Sequence, residues 1–212
     1  VIENNEIKSF KPFNKIKSRP CVFEYIYFAR PDSILNGECA YEYRKRLGAE
    51  LAKESGINAD IVVPVPDSGV PAAIGYSQSS NLKFELGLIR NHYVGRTFIE
   101  PTQNIRSLGV KLKLNSTKTI VKNKSIILID DSLVRGTTCH KIVKMLYENG
   151  AKEVHVRIAC PEIIYPDFYG VDMPTREELL AYKKNNTEMC NYINAKSLKF
   201  LSLEGLYKAL IN

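Results

Sequence analysis

Cysteine is sparse in this 212-residue chain: five residues, Cys21, Cys39, Cys139, Cys160 and Cys190, odd in number and scattered. No CxxC pair occurs, which argues against a disulfide framework or a zinc site and for reduced thiols in a cytoplasmic setting. No run approaches the ~18 apolar residues of a membrane span, so no membrane partner is expected. The first residue is Val1 and nothing near it resembles a signal peptide, so the chain is read as a fragment or processed product. What is present is ordinary globular composition, 44% hydrophobic and 25% charged, enough for one sizeable core with an appendage. The formal charge of +7 suits an anionic partner. Because the basic residues are spread along the chain, a polyanionic small molecule explains them as well as nucleic acid does.

One stretch carries most of the chemistry: Ser125 to Gly150, SIILIDDSLVRGTTCHKIVKMLYENG. Ile126 to Ile129 is apolar and mostly β-branched, the pattern of a buried strand. Asp130 and Asp131 follow at once. Then come Ser132, Leu133, Val134, Arg135, Gly136, Thr137 and Thr138, a hydroxyl-rich loop around one glycine. A helix is predicted from near Thr138, with Cys139, Ile142, Val143 and Leu146 on one face and Gly150 as its stop. The first turn of a helix offers unpaired N–H groups and a positive dipole end, so this loop suits a phosphate. Gly136 permits close backbone approach, and the threonines add donors. The acidic pair would repel that phosphate and must face another part of the ligand. Carboxylates bond well to sugar hydroxyls and to hard cations such as Mg2+. The ligand implied is a sugar phosphate. Neither GxxxxGK followed by Ser or Thr nor GxGxxG is present there. Taken alone, two acids at the head of a solvated, capped turn are unremarkable; the whole string is far more specific.

Asp60 to Ser80 repeats the logic. Ile61-Val62-Val63 reads as a strand and Pro64 to Gly69 as a tight loop. Val70 to Ser79 reads as a helix with Pro71 near its first position, where a missing N–H costs nothing. Ser68 and Gly69 place backbone N–H groups at that helix start, a second anion site suited to pyrophosphate. Lys152 to Cys160 adds a strand, so the core reads as strand–helix–strand with a mainly parallel sheet. Both loops then open at the carboxyl ends of strands, where open α/β sheets bind ligands.

The rest is less distinctive. Val1 to Pro20 reads as an edge hairpin and linker, turning at Asn4-Asn5. Cys21 to Ser33, rich in aromatics, reads as a strand. Ala40 to Ser55 reads as a helix ended by Gly56, with Arg44, Lys45 and Arg46 on a solvated face. Phe84 to Arg90 reads as one short strand. Asn91 to Lys124 is long, polar and basic, either a mobile solvated loop or a lid; in the second case Arg90 just before it, with Arg96 and Arg106, could close over several phosphates. It turns back into a Lys/Leu ribbon near Val110 to Leu114. Glu177 to Lys184 and Thr187 to Asn194 read as short helices, Phe200 to Leu203 as a strand, and Glu204 to Ile211 as a last helix.

IDDSLVRGTT resembles the PRPP-binding motif of the type I phosphoribosyltransferases, in the form found in the glutamine PRPP amidotransferases of purine synthesis. FEYIYFARPDS, YVGRTFIEP and DFYGVDMP are similar to further segments of that family, so the likeness runs from about Cys21 to the C-terminus. It implies a type I phosphoribosyltransferase fold over 21–212, with a flexible lid, and a tail of a missing glutaminase domain over 1–20. It implies that Asp130 and Asp131 hold the ribose hydroxyls and, with Ser68, Mg2+. Ser132 to Thr138 would hold the 5-phosphate, and Asp67, Ser68 and Gly69 the pyrophosphate. Arg90 and Arg96 would act with the acids in catalysis, and Tyr25 would lie near the route for ammonia. That ammonia comes from glutamine in the other domain, and the products are phosphoribosylamine and pyrophosphate. Purine nucleotides as inhibitors and a homo-oligomer also follow from the resemblance. The family commonly has Lys before the Asn of its loop motif and a basic residue after it; here these are Arg90 and His92, the latter charged only at lower pH.

Two departures matter. No N-terminal catalytic cysteine is present, so this chain alone should not hydrolyse glutamine. Some relatives bind an iron–sulfur cluster; Cys21 matches one ligand position, but Asp167 stands where a cysteine would be expected and the C-terminal pair is missing, so no cluster is expected. Displacement at C1 of PRPP needs the leaving pyrophosphate neutralised, the sugar fixed and water kept out, rather than elaborate acid–base chemistry. Two rivals use the same fold. A PRPP-sensing regulator needs a DNA-binding domain, and no helix-turn-helix is visible; nucleic acid is not an expected partner. A salvage enzyme acting on a free base is disfavoured by the amidotransferase-like strings.

Overall fold

The computed structural model describes residues 1–15, 17, 19–91, 114–167 and 175–211. Its centre grows from the short apolar runs. β5 (Ile61–Pro64), β9 (Ser125–Asp130) and β10 (Glu153–Ile158) are rich in Val and Ile, and their central residues are fully buried. Strands covered on both faces need continuous apolar sequence rather than alternation, and these have it. With β6 (Lys83–Phe84) and β11 (Ser197–Phe200) they form one parallel sheet in the order β11-β10-β9-β5-β6.

The remaining elements are short or flank this sheet. β1 (Ile2–Glu3) and β2 (Glu6–Ile7) form the N-terminal hairpin, and β3 (Ile34–Leu35) pairs with β4 (Glu38–Cys39). Asn4 and Asn5, with φ of 51° and 63°, give the first hairpin its two-residue turn, a conformation asparagine tolerates. The helices are α1 (Ala40–Ser55), α2 (Val70–Ser80), α3 (Lys118–Val121), α4 (Thr137–Glu148), α5 (Leu180–Lys183), α6 (Asn186–Tyr192) and α7 (Leu203–Leu210). β7 (Leu88–Arg90) and β8 (Leu114–Ser116) form an antiparallel ribbon. α4 buries Cys139, Ile142, Val143 and Leu146, the face predicted from their spacing. Among the described residues no helix is long and apolar enough to cross a membrane.

Strand order locates the site. From β5 the chain moves outward one way to β6, and from β9 the other way to β10 and β11. The reversal falls between β5 and β9, where Pro64, the last residue of β5, is in register with Ile129, the last but one of β9. Crevices at such switch points, beyond the carboxyl ends of the strands, are where open α/β sheets take ligands.

Several sequence expectations are corrected. Within Cys21 to Ser33 the segment Glu24–Phe28 is one turn of π-helix, not a strand. Its carbonyls go to a side chain instead of a sheet: Arg44 Nε donates to Tyr25 O at 3.0 Å and Nη2 to Ala29 O at 2.7 Å. Arg44 is accordingly 4% exposed, not part of a solvated face. Phe84 to Arg90 is two strands, one in the central sheet and one in the ribbon. The stretch read as a single loop over Asn91 to Lys124 contains β8 and α3. Glu177 to Lys184 divides into a 3-10 turn, Arg176–Glu178, and α5. The last strand ends at Phe200, because Ser202 instead caps α7, its hydroxyl accepting from Gly205 N at 2.9 Å. His92, Arg96, Arg106, the segment Tyr93–Pro101 and most of DFYGVDMP lie outside the described residues.

Candidate functional site

The loop from β9 to α4 folds around a cavity of about 240 Å³ lined by Asp130, by Ser132, Leu133, Val134, Arg135, Gly136, Thr137 and Thr138, and by Cys139. Every residue predicted to hold the phosphate end is therefore at one cavity. Gly136 has φ +75°, the left-handed region that favours glycine. Among the described residues no hydrogen bond engages the N–H groups of Val134, Arg135 and Gly136, so a run of donors is left for an anion. Thr137 and Thr138, at the start of α4, are exposed.

The two acids divide their work. Asp130 is half-buried at the cavity wall, and its carboxylate accepts from Asp131 N at 2.9 Å. Asp131 is 6% exposed and accepts from the Ser132 hydroxyl on its own loop, and Ser68 of the other loop lies near enough to act on its carboxyl. Burial pushes both carboxyls above the ordinary range. At Asp130 the neighbouring Asp131 charge adds to the effect. At Asp131 the two serine hydroxyls and the Arg44 charge pull the other way. Arg44 thus lies under the site while its guanidinium ties down the Tyr25 turn. Sequence reasoning missed this residue, because a basic side chain at that helical position looks the same as its solvated neighbours.

The second loop is built by close approach. Gly69 packs against β9 so tightly that a Cβ there would lie 2.6 Å from Ile129 O and 2.9 Å from Val65 O. The peptide between Pro66 and Asp67 is cis. The sequence expectation for backbone donors needs one correction. The N–H of Gly69 is used by Val65 O at 3.0 Å and that of Val70 by Asp67 O at 3.3 Å. The donors left to this loop among the described residues are those of Asp67 and Ser68. Asp67 is exposed, and its carboxylate is paired with Arg90 Nη1 from β7. Two residues predicted to serve the substrate therefore hold each other. Arg96 is outside the described residues.

Tyr25 is buried, its ring edge-on to Tyr43 at a centroid distance of 4.9 Å, its hydroxyl accepting from Asn36 Nδ2. Arg44→Met should keep the apolar stem but leave the Tyr25 and Ala29 carbonyls without their charged donor. We expect a loss of about 2–3 kcal/mol in urea denaturation; an unchanged midpoint would contradict this account of the turn. The buried thiols lining or flanking the site, Cys139 and Cys160, are pushed up by burial and by the aspartate charges, so neither is a nucleophile at neutral pH.

Residues 32–166 match the family model of the phosphoribosyl transferase domain. The chain belongs to the phosphoribosyl transferase family. Over 205 residues it is 56% identical to the amidophosphoribosyltransferase of Rhizobium etli, covering 96% of this chain and 41% of that protein. Over 210 residues it is 53% identical to the enzyme of the same name from Methanocaldococcus jannaschii, covering 99% and 45%. Among solved structures, the glutamine PRPP amidotransferase from B. subtilis complexed with ADP and GMP superposes with a TM-score of 0.87 at 48% identity, over 99% of this chain and 46% of that one. The chain thus spans less than half the length of these relatives. The parallel sheet flanked by helices is the type I phosphoribosyltransferase fold expected from IDDSLVRGTT.

Proposed function

We propose that this phosphoribosyl transferase chain is the phosphoribosyl-transferring part of an amidophosphoribosyltransferase. It takes PRPP and ammonia to 5-phosphoribosylamine and pyrophosphate, the first step of de novo purine synthesis. The observation that carries this reading is the cavity at the end of β9, which sets Asp130 and the buried Asp131 beside the hydroxyl-rich loop of 132–138. In the reaction the C1–O bond to pyrophosphate breaks, a C1–N bond forms, and the incoming nitrogen loses a proton to solvent.

The 5-phosphate lies on the free N–H groups of 134–136 and the hydroxyls of Thr137 and Thr138. The ribose hydroxyls donate to Asp130 and Asp131. The pyrophosphate meets Asp67, Ser68 and the close-packed turn at Gly69, and Arg90 transfers its charge from Asp67 to the substrate. Two adjacent, partly desolvated carboxylates are a poor resting arrangement but a good donor set for a hard cation, with Ser68 beside them. Among the described residues no group of three or more His, Cys, Asp or Glu could hold a metal by itself. Mg2+, which ordinarily keeps waters and shares substrate oxygens, fits that limited set. When bound it would neutralise charge on the departing pyrophosphate. Ammonia arrives on the Tyr25 side from a glutaminase domain to which 1–20 is the tail. Purine nucleotides as inhibitors, self-association and a cytoplasmic setting belong to the same proposal; the B. subtilis relative was solved with ADP and GMP.

The test is pyrophosphate release from PRPP by this chain with Mg2+ and an ammonium salt, with phosphoribosylamine trapped. Exchange with hypoxanthine or adenine in place of ammonia would replace the proposal with a salvage activity, and salt-sensitive duplex DNA binding without turnover would replace it with a regulator.

A further inference from the structure

The phosphate loop is gripped from outside by a segment that the family model does not reach, since the match ends at residue 166. Four loop or helix-start positions are held. Leu180 N donates to Val134 O at 2.8 Å. Arg135 Nε donates to the Glu178 carboxylate. A Cβ on Gly136 would lie 2.6 Å from Leu180 Cδ2 and 3.1 Å from Tyr192 Cε1, so those side chains press on the left-handed residue itself. His140 Nδ1 meets Tyr192 O at 2.8 Å, with the two rings 5.9 Å apart. The loop has little of its own to hold this curvature, because its 134–136 N–H groups carry no internal bond.

We infer that the segment from Arg176 to Tyr192 clamps the phosphate loop in its binding shape, with Leu180 and Tyr192 as positioning residues for the sugar-phosphate end of the substrate. Neither touches the ligand. They act by fixing the carbonyl of Val134 and the backbone of Gly136, which aims the neighbouring N–H donors into the cavity. Without the clamp the donors remain but must be ordered by the ligand at an entropic cost. Only one end of the substrate should feel this, since the pyrophosphate loop is held separately, by β9 against Gly69.

The inference rests on the reading of the cavity as a phosphoribosyl site, and the test separates the two. Ribose 5-phosphate and pyrophosphate, each with Mg2+, are titrated calorimetrically into the full chain and its variants. Tyr192 is 40% exposed, so Tyr192→Ala should leave the fold intact. We expect it to weaken ribose 5-phosphate about tenfold, less than a full ångström of misplacement can cost. Pyrophosphate affinity should stay within roughly twofold, and KM for PRPP should rise with kcat preserved at saturation. Tyr192→Phe, which keeps the ring, should match the parent, and Leu180→Ala should reproduce Tyr192→Ala if it folds. Wild-type affinity for ribose 5-phosphate in Tyr192→Ala would overturn the clamp. So would equal weakening of both ligands together with a lowered melting temperature, which would mean general loosening. So would a Tyr192→Ala chain that loses affinity for pyrophosphate and keeps it for ribose 5-phosphate. A parent chain that binds neither PRPP nor ribose 5-phosphate would instead bring down the functional reading, and the clamp with it.

Discussion

Asp130→Asn is expected to weaken PRPP binding by roughly 100-fold or more while raising the melting temperature of the ligand-free chain. On the proposed reading, the loss follows from removing a charged acceptor for a ribose hydroxyl and one of the two carboxylates offered to the cation, where interactions with charged groups are the strong ones. The gain follows from the same carboxyl being held above its ordinary range by burial and by Asp131. A carboxyl raised in the folded state binds more protons folded than unfolded. Stability is therefore greatest below the ordinary carboxyl range and falls as pH rises through the folded value. The asparagine oxygen can still accept from Asp131 N, so only the repulsion and the desolvated charge are removed. Single stabilising substitutions commonly add about 1 kcal/mol, or about 2–4 °C in Tm for a chain of this size. Calorimetry between pH 5 and pH 8 checks the sign: the variant's advantage should grow with pH and vanish in acid. Addition of Mg2+ with PRPP should reverse the order, because the parent gains more from the ligand than the weaker-binding variant. Unchanged PRPP affinity would remove the paired-acid site from the account; unchanged stability at all pH values would remove its electrostatic cost.

Much of this site was legible because its chemistry is local in sequence. Ile126 to Gly150 holds a strand, two acids, a loop and a helix start in one uninterrupted string, and each neighbour constrains the next. The β5 loop was legible for the same reason, though its donor inventory was not: whether the Gly69 N–H faces ligand or Val65 O depends on how the chain folds back on β9. What failed were features set by distant partners. Aromatic alternation at Phe23, Tyr25 and Tyr27 fits a strand until Arg44, nineteen residues beyond Tyr25, supplies the hydrogen bonds that a sheet would have given. Arg44, Lys45 and Arg46 are alike in composition, and only the buried turn distinguishes the first. Leu180 and Tyr192 carry no motif at all, because their role is to fill the space that Gly136 leaves open.

Gly48→Ala should be among the most damaging single methyls at the described glycines, with an expected loss of about 3–5 kcal/mol, at the upper end of overpacking effects. Helix propensity alone argues the other way, since alanine is favoured over glycine in a helix by about 1 kcal/mol. Geometry decides. A Cβ at Gly48 would sit 1.8 Å from Ala72 O, 2.6 Å from Ala72 C and 2.8 Å from Ala72 Cα, all backbone atoms that no rotamer change can move. The contact is reciprocal: a Cβ at Gly75 would sit 1.8 Å from Lys45 O. α1 and α2 therefore cross backbone against backbone, and a methyl at either glycine must push them apart. The consequence reaches the site, because α2 begins at the loop proposed to hold pyrophosphate and α1 carries Arg44, whose charge acts on Asp131. Gly48→Ala and Gly75→Ala should thus lower the urea midpoint by similar amounts. At urea-free conditions where both still fold, they should also weaken pyrophosphate binding. The double variant should cost less than the sum of the two, since one separation of the helices relieves both clashes. Full additivity, or a midpoint within about 0.5 kcal/mol of the parent, would mean that the two helices are not in backbone contact, and that the spacing of the two substrate loops is set elsewhere.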